Sequence, residues 1–172
     1  MWSSEHRAAR RRALRVAAAL APAGLLAACG FHLRQPPVFA FRRIALTGFT
    51  PRSPLADELK AQLLRSGLVV DDDPAKAEVV LQALTDLRDR RVVATTTAAQ
   101  VREVQLRLRL RWRTQTPAGR ELSAPAELAL VRDLSYSESV ALAKQHEEDE
   151  LYRDMQADIV GQVLRRLAAV HL

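Results

Sequence analysis

At 172 residues and 48% apolar, the chain is long enough for one packed core and short for two, so a single domain is expected. Its formal charge of +6 suggests a nucleic-acid binder until the charges are located: the first 28 residues carry five arginines against Glu5, a net of +4, which leaves +2 for the remainder. With one cysteine, Cys29, no disulfide can form within the chain.

Residues 1–12 are polar and include Arg10, Arg11 and Arg12, and residues 13–28 are apolar apart from Arg15, the charged and greasy halves of a secretory leader. The apolar run from Val16 to Ala28 is short for a membrane span and carries Pro22 and Gly24, so cleavage is the expected fate. Leu26-Ala27-Ala28 directly before Cys29 resembles the lipobox of bacterial lipoproteins, a branched residue and two small ones before the thiol that takes diacylglycerol. That motif is more specific than its alternatives, a free cysteine behind an ordinary leader or a buried core cysteine. Cys29 is therefore the expected lipidation site, bearing diacylglycerol and an N-acyl chain and needing no other cofactor. Gly30 follows it, not the Asp that typically retains such proteins in the inner membrane, and the outer membrane is expected by analogy.

Residues 29–41, with Pro36-Pro37, read as an extended lipidated tether, and residues 42–172 as one domain. Arg43 to Thr47 reads as a short strand. Ser53-Pro54 supplies an N-cap and first helical residue, Leu55, Leu59 and Leu63 define a buried face, and Gly67 ends the helix. Leu68-Val69-Val70 begins a short strand that Asp71-Asp72-Asp73-Pro74 stops. Longer strand segments follow at about 77–92, 101–115 and 120–134, with a hairpin end at Thr95 to Gln100 and a turn at Pro117-Ala118-Gly119. In the middle segment Val104, Leu106, Leu108, Leu110 and Trp112 alternate with charged and amide residues, as a half-buried antiparallel strand requires. Leu151, Met155, Ile159, Val163 and Leu167 then recur every four residues in a terminal helix, with Glu147 to Glu150 toward its start and Arg165 and Arg166 toward its end. The predicted fold is an α+β two-layer sandwich in β-α-β-β-β-α order, with room for one additional short strand: a mostly antiparallel four-stranded sheet with two helices packed on one face.

Two stretches carry a family resemblance. Cys29-Gly30-Phe31-His32-Leu33-Arg34 resembles the mature N-terminus of the LPS-assembly lipoprotein LptE family, and Ala141-Leu142-Ala143-Lys144, followed by an acidic stretch and a helix ending Leu164-Arg165-Arg166-Leu167, resembles its C-terminal part. The resemblance implies a non-catalytic protein that sits in the lumen of the outer-membrane barrel LptD, assists its assembly and helps lipopolysaccharide reach the outer leaflet. It places Lys144 at the family's basic position before the last helix, a candidate contact for lipopolysaccharide phosphates, or else a solvated lysine beside Glu147 and Glu148. Arg90, Arg91 and Arg102 flank the hairpin where the family shows a basic contact; here Thr95-Thr96-Thr97-Ala98-Ala99 departs from the family's Arg and turn residue, and the arginines serve either as ligand contacts or as cross-strand partners of Asp86 and Asp89. The row Arg107, Arg109, Arg111 and Arg113 faces either acidic and carbonyl groups of a polar barrel wall or plain solvent. A nucleic-acid surface is disfavoured, since no aromatic platform interleaves it. A free-standing periplasmic lipid-binding lipoprotein is the alternative to the barrel plug. No glycine-rich phosphate loop, nucleophile elbow or HExxH occurs, and His32, His146 and His171 lack metal-ligand spacing. Ser135, Ser137 and Ser139 read as turn and cap residues.

Overall fold

The computed structural model describes residues 37–172; the leader, the lipobox with Cys29, His32 and most of the tether lie outside them. The elements are β1 (Arg43–Thr47), α1 (Pro54–Arg65), β2 (Val69–Asp71), β3 (Val79–Thr95), β4 (Val101–Gln115), β5 (Glu121–Ser135) and α2 (Ala141–Ala168), with short 3-10 turns at Pro74–Lys76 and Glu138–Val140.

Helix α1 forms where its local signals place it. Ser53 is extended and its hydroxyl accepts from the Ala56 N–H at 3.1 Å, Pro54 opens the first turn, and Leu55, Leu59 and Leu63 are buried. At the other end Gly67 is left-handed at φ +82°, the Leu68 N–H reaches the Leu63 carbonyl at 3.1 Å, and the Gly67 N–H reaches Leu64 at 3.0 Å, a Schellman closure.

The sheet has five strands in the order β2-β1-β3-β4-β5, and β1 runs parallel to both β2 and β3. This corrects the expectation of four mostly antiparallel strands. The additional strand is β2, whose three residues are too few to show a period, and the helix between β1 and β2 makes a parallel crossover, which a hairpin cannot supply. A bidentate pair holds that edge: Arg43 donates from Nε to Asp71 Oδ2 at 2.9 Å and from its terminal nitrogen to Oδ1 at 2.8 Å.

The antiparallel half of the sheet is built from two hairpins with the same turn. In one, the Thr96 N–H donates to Gln100 O (2.8 Å), Ala99 to Thr96 O (3.0 Å) and Gln100 to Thr96 Oγ1 (3.1 Å); in the other, Thr116, Gly119 and Arg120 repeat the pattern at 2.8, 2.9 and 3.1 Å. Both need a left-handed residue before the closing position, supplied by Gly119 at φ +85° and by Ala99 at φ 60°. An L-residue there costs about 1–2 kcal/mol, against which Gly loses about 0.5–1 kcal/mol of chain entropy. Ala99→Gly is accordingly expected to stabilise the domain by about 0.5–1 kcal/mol and raise its thermal midpoint by about 2–4 °C, read by circular dichroism. An unchanged midpoint would mean that the turn already relaxes around Ala99.

Both helices cover one face. Val104, Leu106, Leu108, Leu110 and Trp112 of β4 share a single core with Leu55, Leu59 and Leu63 of α1 and Met155, Ile159, Val163 and Leu167 of α2. Phe41 is buried in the same core and Phe39 packs beside it, their ring centroids 5.6 Å apart, so the last residues of the predicted tether join the domain. On the opposite face a small cluster of Ala45, Ala77 and Val80 closes over β1. Full burial of one Leu or Ile side chain contributes about 1.5–3 kcal/mol, whereas an exposed ion pair contributes about 0–1 kcal/mol, so the apolar seam from Tyr152 onward fixes α2 on the sheet. Among the described residues no helix is long and apolar enough to cross a membrane.

Candidate functional site

Strand β4 sorts its residues as the alternation predicts: Arg107, Arg109, Arg111 and Arg113 occupy the face away from the helices. Pairing places each beside particular neighbours. Arg107 lies between Asp89 and Val131, Arg109 between Leu87 and Ala129, and Arg111 between Thr85 and Glu127. Arg109 Nε stands 3.5 Å from Glu127 Oε1, and Arg113 Nε donates to Gln82 Oε1 at 2.9 Å. Arg107 and Arg111 make no ion pair among the described residues. Leu87 and Val131 on the same face are each 42% exposed, so the row is a cationic strip edged by hydrocarbon. Such a strip can meet carboxylates or carbonyls while covering apolar area.

The second candidate lies at the far end of the long β3-β4 hairpin, where α2 begins. A bulge at Leu84, between the pairs Ala83–Trp112 and Thr85–Arg111, offsets β3 so that Asp86, Arg88 and Arg90 pair with Leu110, Leu108 and Leu106 on the helix side. Arg90 Nε donates to Glu148 Oε2 at 3.0 Å, and its guanidinium lies 5.4 Å from the Tyr136 ring. Arg88 lies over the Tyr152 ring at 3.9 Å and stands 3.8 Å from Asp149. The Tyr152 hydroxyl donates to the Asp89 carbonyl at 2.7 Å; burial pushes this phenol above its ordinary range, and the Arg88 cation works against that rise. Lys144 Nζ donates to Glu147 Oε2 at 2.8 Å and to Ser135 Oγ at 3.3 Å, with its side chain only 19% exposed.

The four predicted ligand contacts therefore do not gather in one cluster. Arg90 and Lys144 flank the start of α2, each paired with a helix carboxylate; Arg91 pairs across the sheet with Gln105 on the arginine-row face; and Arg102 is exposed at the start of β4. The predicted cross-strand pairing is also revised: Asp86 accepts from the Thr50 N–H (3.1 Å) and hydroxyl (2.8 Å), and Asp89 makes no ion pair among the described residues. Lys144 sits inside the first turns of α2, which starts at Ala141, and not ahead of the helix. Glu147 to Glu150 thus lie beyond the first turn, where Arg88, Arg90 and Lys144 meet three of them. Ser137 and Ser139 bond each other at 2.8 Å and neither caps a helix N–H through its side chain. Sequence reasoning missed Arg88, Tyr136, Tyr152 and Glu148; the pairing of two tyrosines with an alternating Arg-x-Arg was the available signal.

Above Arg90 opens a cleft of about 480 Å³, lined among others by Arg90, Tyr136, Leu142, Gln145, Glu148 and Asp149, with Leu142 71% exposed at its mouth. Its charged lining is one guanidinium beside two carboxylates, next to exposed hydrocarbon. Among the described residues no three His, Cys, Asp or Glu side chains gather as metal ligands would.

A family model described as LptE, lipopolysaccharide-assembly, matches residues 41–167. The LPS-assembly lipoprotein LptE of Pectobacterium atrosepticum is 26% identical over 151 residues, covering 86% of this chain and 80% of that protein. That of Yersinia enterocolitica is 27% identical over 150 residues, covering 84% and 70%. Among solved structures, an uncharacterized lipoprotein B from Nitrosomonas europaea aligns with a TM-score of 0.66 at 30% identity, over 81% of this chain and 91% of that one. A minor lipoprotein from Acinetobacter baumannii shares the fold, with a TM-score of 0.60 at 22% identity, over 77% and 94%.

Proposed function

The chain belongs to the LptE family of lipopolysaccharide-assembly proteins, and from that membership we propose that it is a non-catalytic lipoprotein of the Gram-negative envelope that plugs an LptD-type outer-membrane barrel and assists its assembly. The family match over residues 41–167, directly behind a lipobox at Cys29, is the observation that carries this reading. The relatives from Pectobacterium and Yersinia are named for lipopolysaccharide assembly; the same task is assigned to this chain, together with a part in lipopolysaccharide transport to the outer leaflet. Acyl chains on Cys29 hold it to the outer membrane from the periplasmic side.

The geometry supports a plug. A membrane barrel has a polar lumen, so its occupant must hide its own apolar seam and offer polar groups outward. Here the helices cover the seam, and the row from Arg107 to Arg113 presents guanidinium groups able to bind carboxylates or carbonyls of a wall with paired donors. Arg90 and Lys144 are assigned to lipopolysaccharide phosphates, with Arg91 and Arg102 as outlying cations.

Gentle detergent extraction of outer membranes, followed by affinity capture of the chain, tests the proposal. A barrel protein of much larger mass is expected to copurify in equimolar amount. Recovery of the chain with lipid alone would favour the alternative, a free-standing periplasmic lipid-binding lipoprotein.

A further inference from the structure

We propose that Glu148, seconded by Glu147, is an internal anion that masks the Arg90 guanidinium in the cleft at the start of α2, so that a phosphate-bearing ligand reaches Arg90 only by displacing a carboxylate of the protein itself. The inference rests on the assignment of Arg90 and Lys144 to lipopolysaccharide phosphates. Those two cations are the ones already matched, Arg90 by Glu148 at 3.0 Å and Lys144 by Glu147 at 2.8 Å, and both acids stand on α2. A carboxylate oxygen at that distance from a guanidinium nitrogen takes the position a phosphate oxygen would take.

Displacement is feasible because of how this part of α2 is held. Its buried residues begin at Tyr152; the stretch from Ala141 to Glu150 contributes none, and ion pairs and a hydrogen bond from Glu148, Asp149 and Lys144 join it to β3 and the end of β5. Such contacts exchange readily with those of a ligand, whereas the seam from Met155 to Leu167 stays closed. The Tyr136 ring, 5.4 Å from the Arg90 guanidinium, keeps the cation in place when Glu148 leaves. Leu142 at the cleft mouth gives hydrocarbon a surface beside the phosphate position.

The masking lowers apparent affinity to the fraction of its unmasked value given by the time the cation is free. A partly covered pair closed about four-fifths of the time leaves Arg90 free for about one-fifth, so the ligand binds about fivefold more weakly than to an unmasked cleft. Binding of purified rough-type lipopolysaccharide to the full-length chain, measured calorimetrically at fixed salt, separates the possibilities. Glu148→Gln is expected to tighten binding about fivefold. Glu150→Gln makes the same change in net charge on the same helix, at a residue with no ion pair among the described residues, and is expected to change affinity by less than about twofold. Arg90→Gln is expected to weaken binding, and adding Glu148→Gln to it should bring no gain.

If Arg90→Gln weakens binding while Glu148→Gln does not tighten it, the masking is overturned and the assignment of Arg90 stands. If Arg90→Gln changes nothing, the assignment itself falls and the masking with it. Equal gains from Glu148→Gln and Glu150→Gln would reduce the effect to general charge and overturn the masking. Should Glu148→Gln lose its helical circular dichroism, Glu148→Asp serves, since it keeps the charge but withdraws it by one methylene; it too must tighten binding, and an unchanged affinity overturns the proposal.

Discussion

Cys29→Ala is expected to abolish incorporation of radioactive palmitate and to leave the chain unprocessed at its leader. The effect is all-or-none because the thiol is the single atom in the sequence able to form the thioether, Cys29 being the one cysteine. Each buried methylene contributes about 0.8 kcal/mol and one acyl chain binds only reversibly, so stable attachment needs the two or three chains that a lipidated Cys29 carries. No helix among the described residues offers a substitute span. The checks are autoradiography of the immunoprecipitated chain and mass spectrometry of its first residue. Label persisting on the alanine variant would defeat the lipidation proposal.

Which parts of the molecule the residues announce depends on whether the cause is local. Helix α1 was fully legible, because Ser53, Pro54, the four-residue leucine repeat and Gly67 act within a dozen residues of one another. So was β4, whose strict alternation leaves one assignment of faces. Strand β2 was not: three residues show no period, and its parallel pairing with β1 is decided by the crossover through α1. In β3 the obstacle is the bulge at Leu84, which shifts the period by one, so that the buried positions Leu81 and Ala83 are odd-numbered and the helix-facing positions Asp86, Arg88 and Arg90 are even-numbered. No pattern in the sequence reveals that shift, and with it which of Arg90 and Arg91 faces the helices stayed hidden. The first turns of α2 lack an apolar stripe altogether. They are helical because the rest of the helix nucleates them and because the carboxylates of Glu148 and Asp149 find arginines on a strand about sixty residues earlier in the chain.

Gly48→Ala is expected to cost the domain about 2–5 kcal/mol, the largest loss from adding a single methyl at any of the three left-handed glycines, Gly48, Gly67 and Gly119. Two causes add. Gly48 is left-handed at φ +76°, which an L-residue adopts at about 1–2 kcal/mol, and a Cβ built there overlaps the backbone carbonyl of Ala83 on β3, an overpacking of about 1–3 kcal/mol. Neither partner can yield. Ala83 is buried opposite Trp112 in the core, and two residues after Gly48 the chain is tied to β3 again by Thr50 on Asp86. Gly67 and Gly119 supply the controls, since both are left-handed but a Cβ on either meets nothing within 4 Å. Their alanine variants should lose only the conformational part, about 1 kcal/mol each. At about 4 °C per kcal/mol for a domain of this size, thermal denaturation should fall by roughly 8–20 °C for Gly48→Ala and by about 4 °C for the controls. Equal losses at all three would show that the close approach to Ala83 contributes nothing. A large loss confined to Gly48 would show that the close approach fixes the chain after β1 against Ala83, the last residue before the bulge that turns Arg88 and Arg90 toward α2.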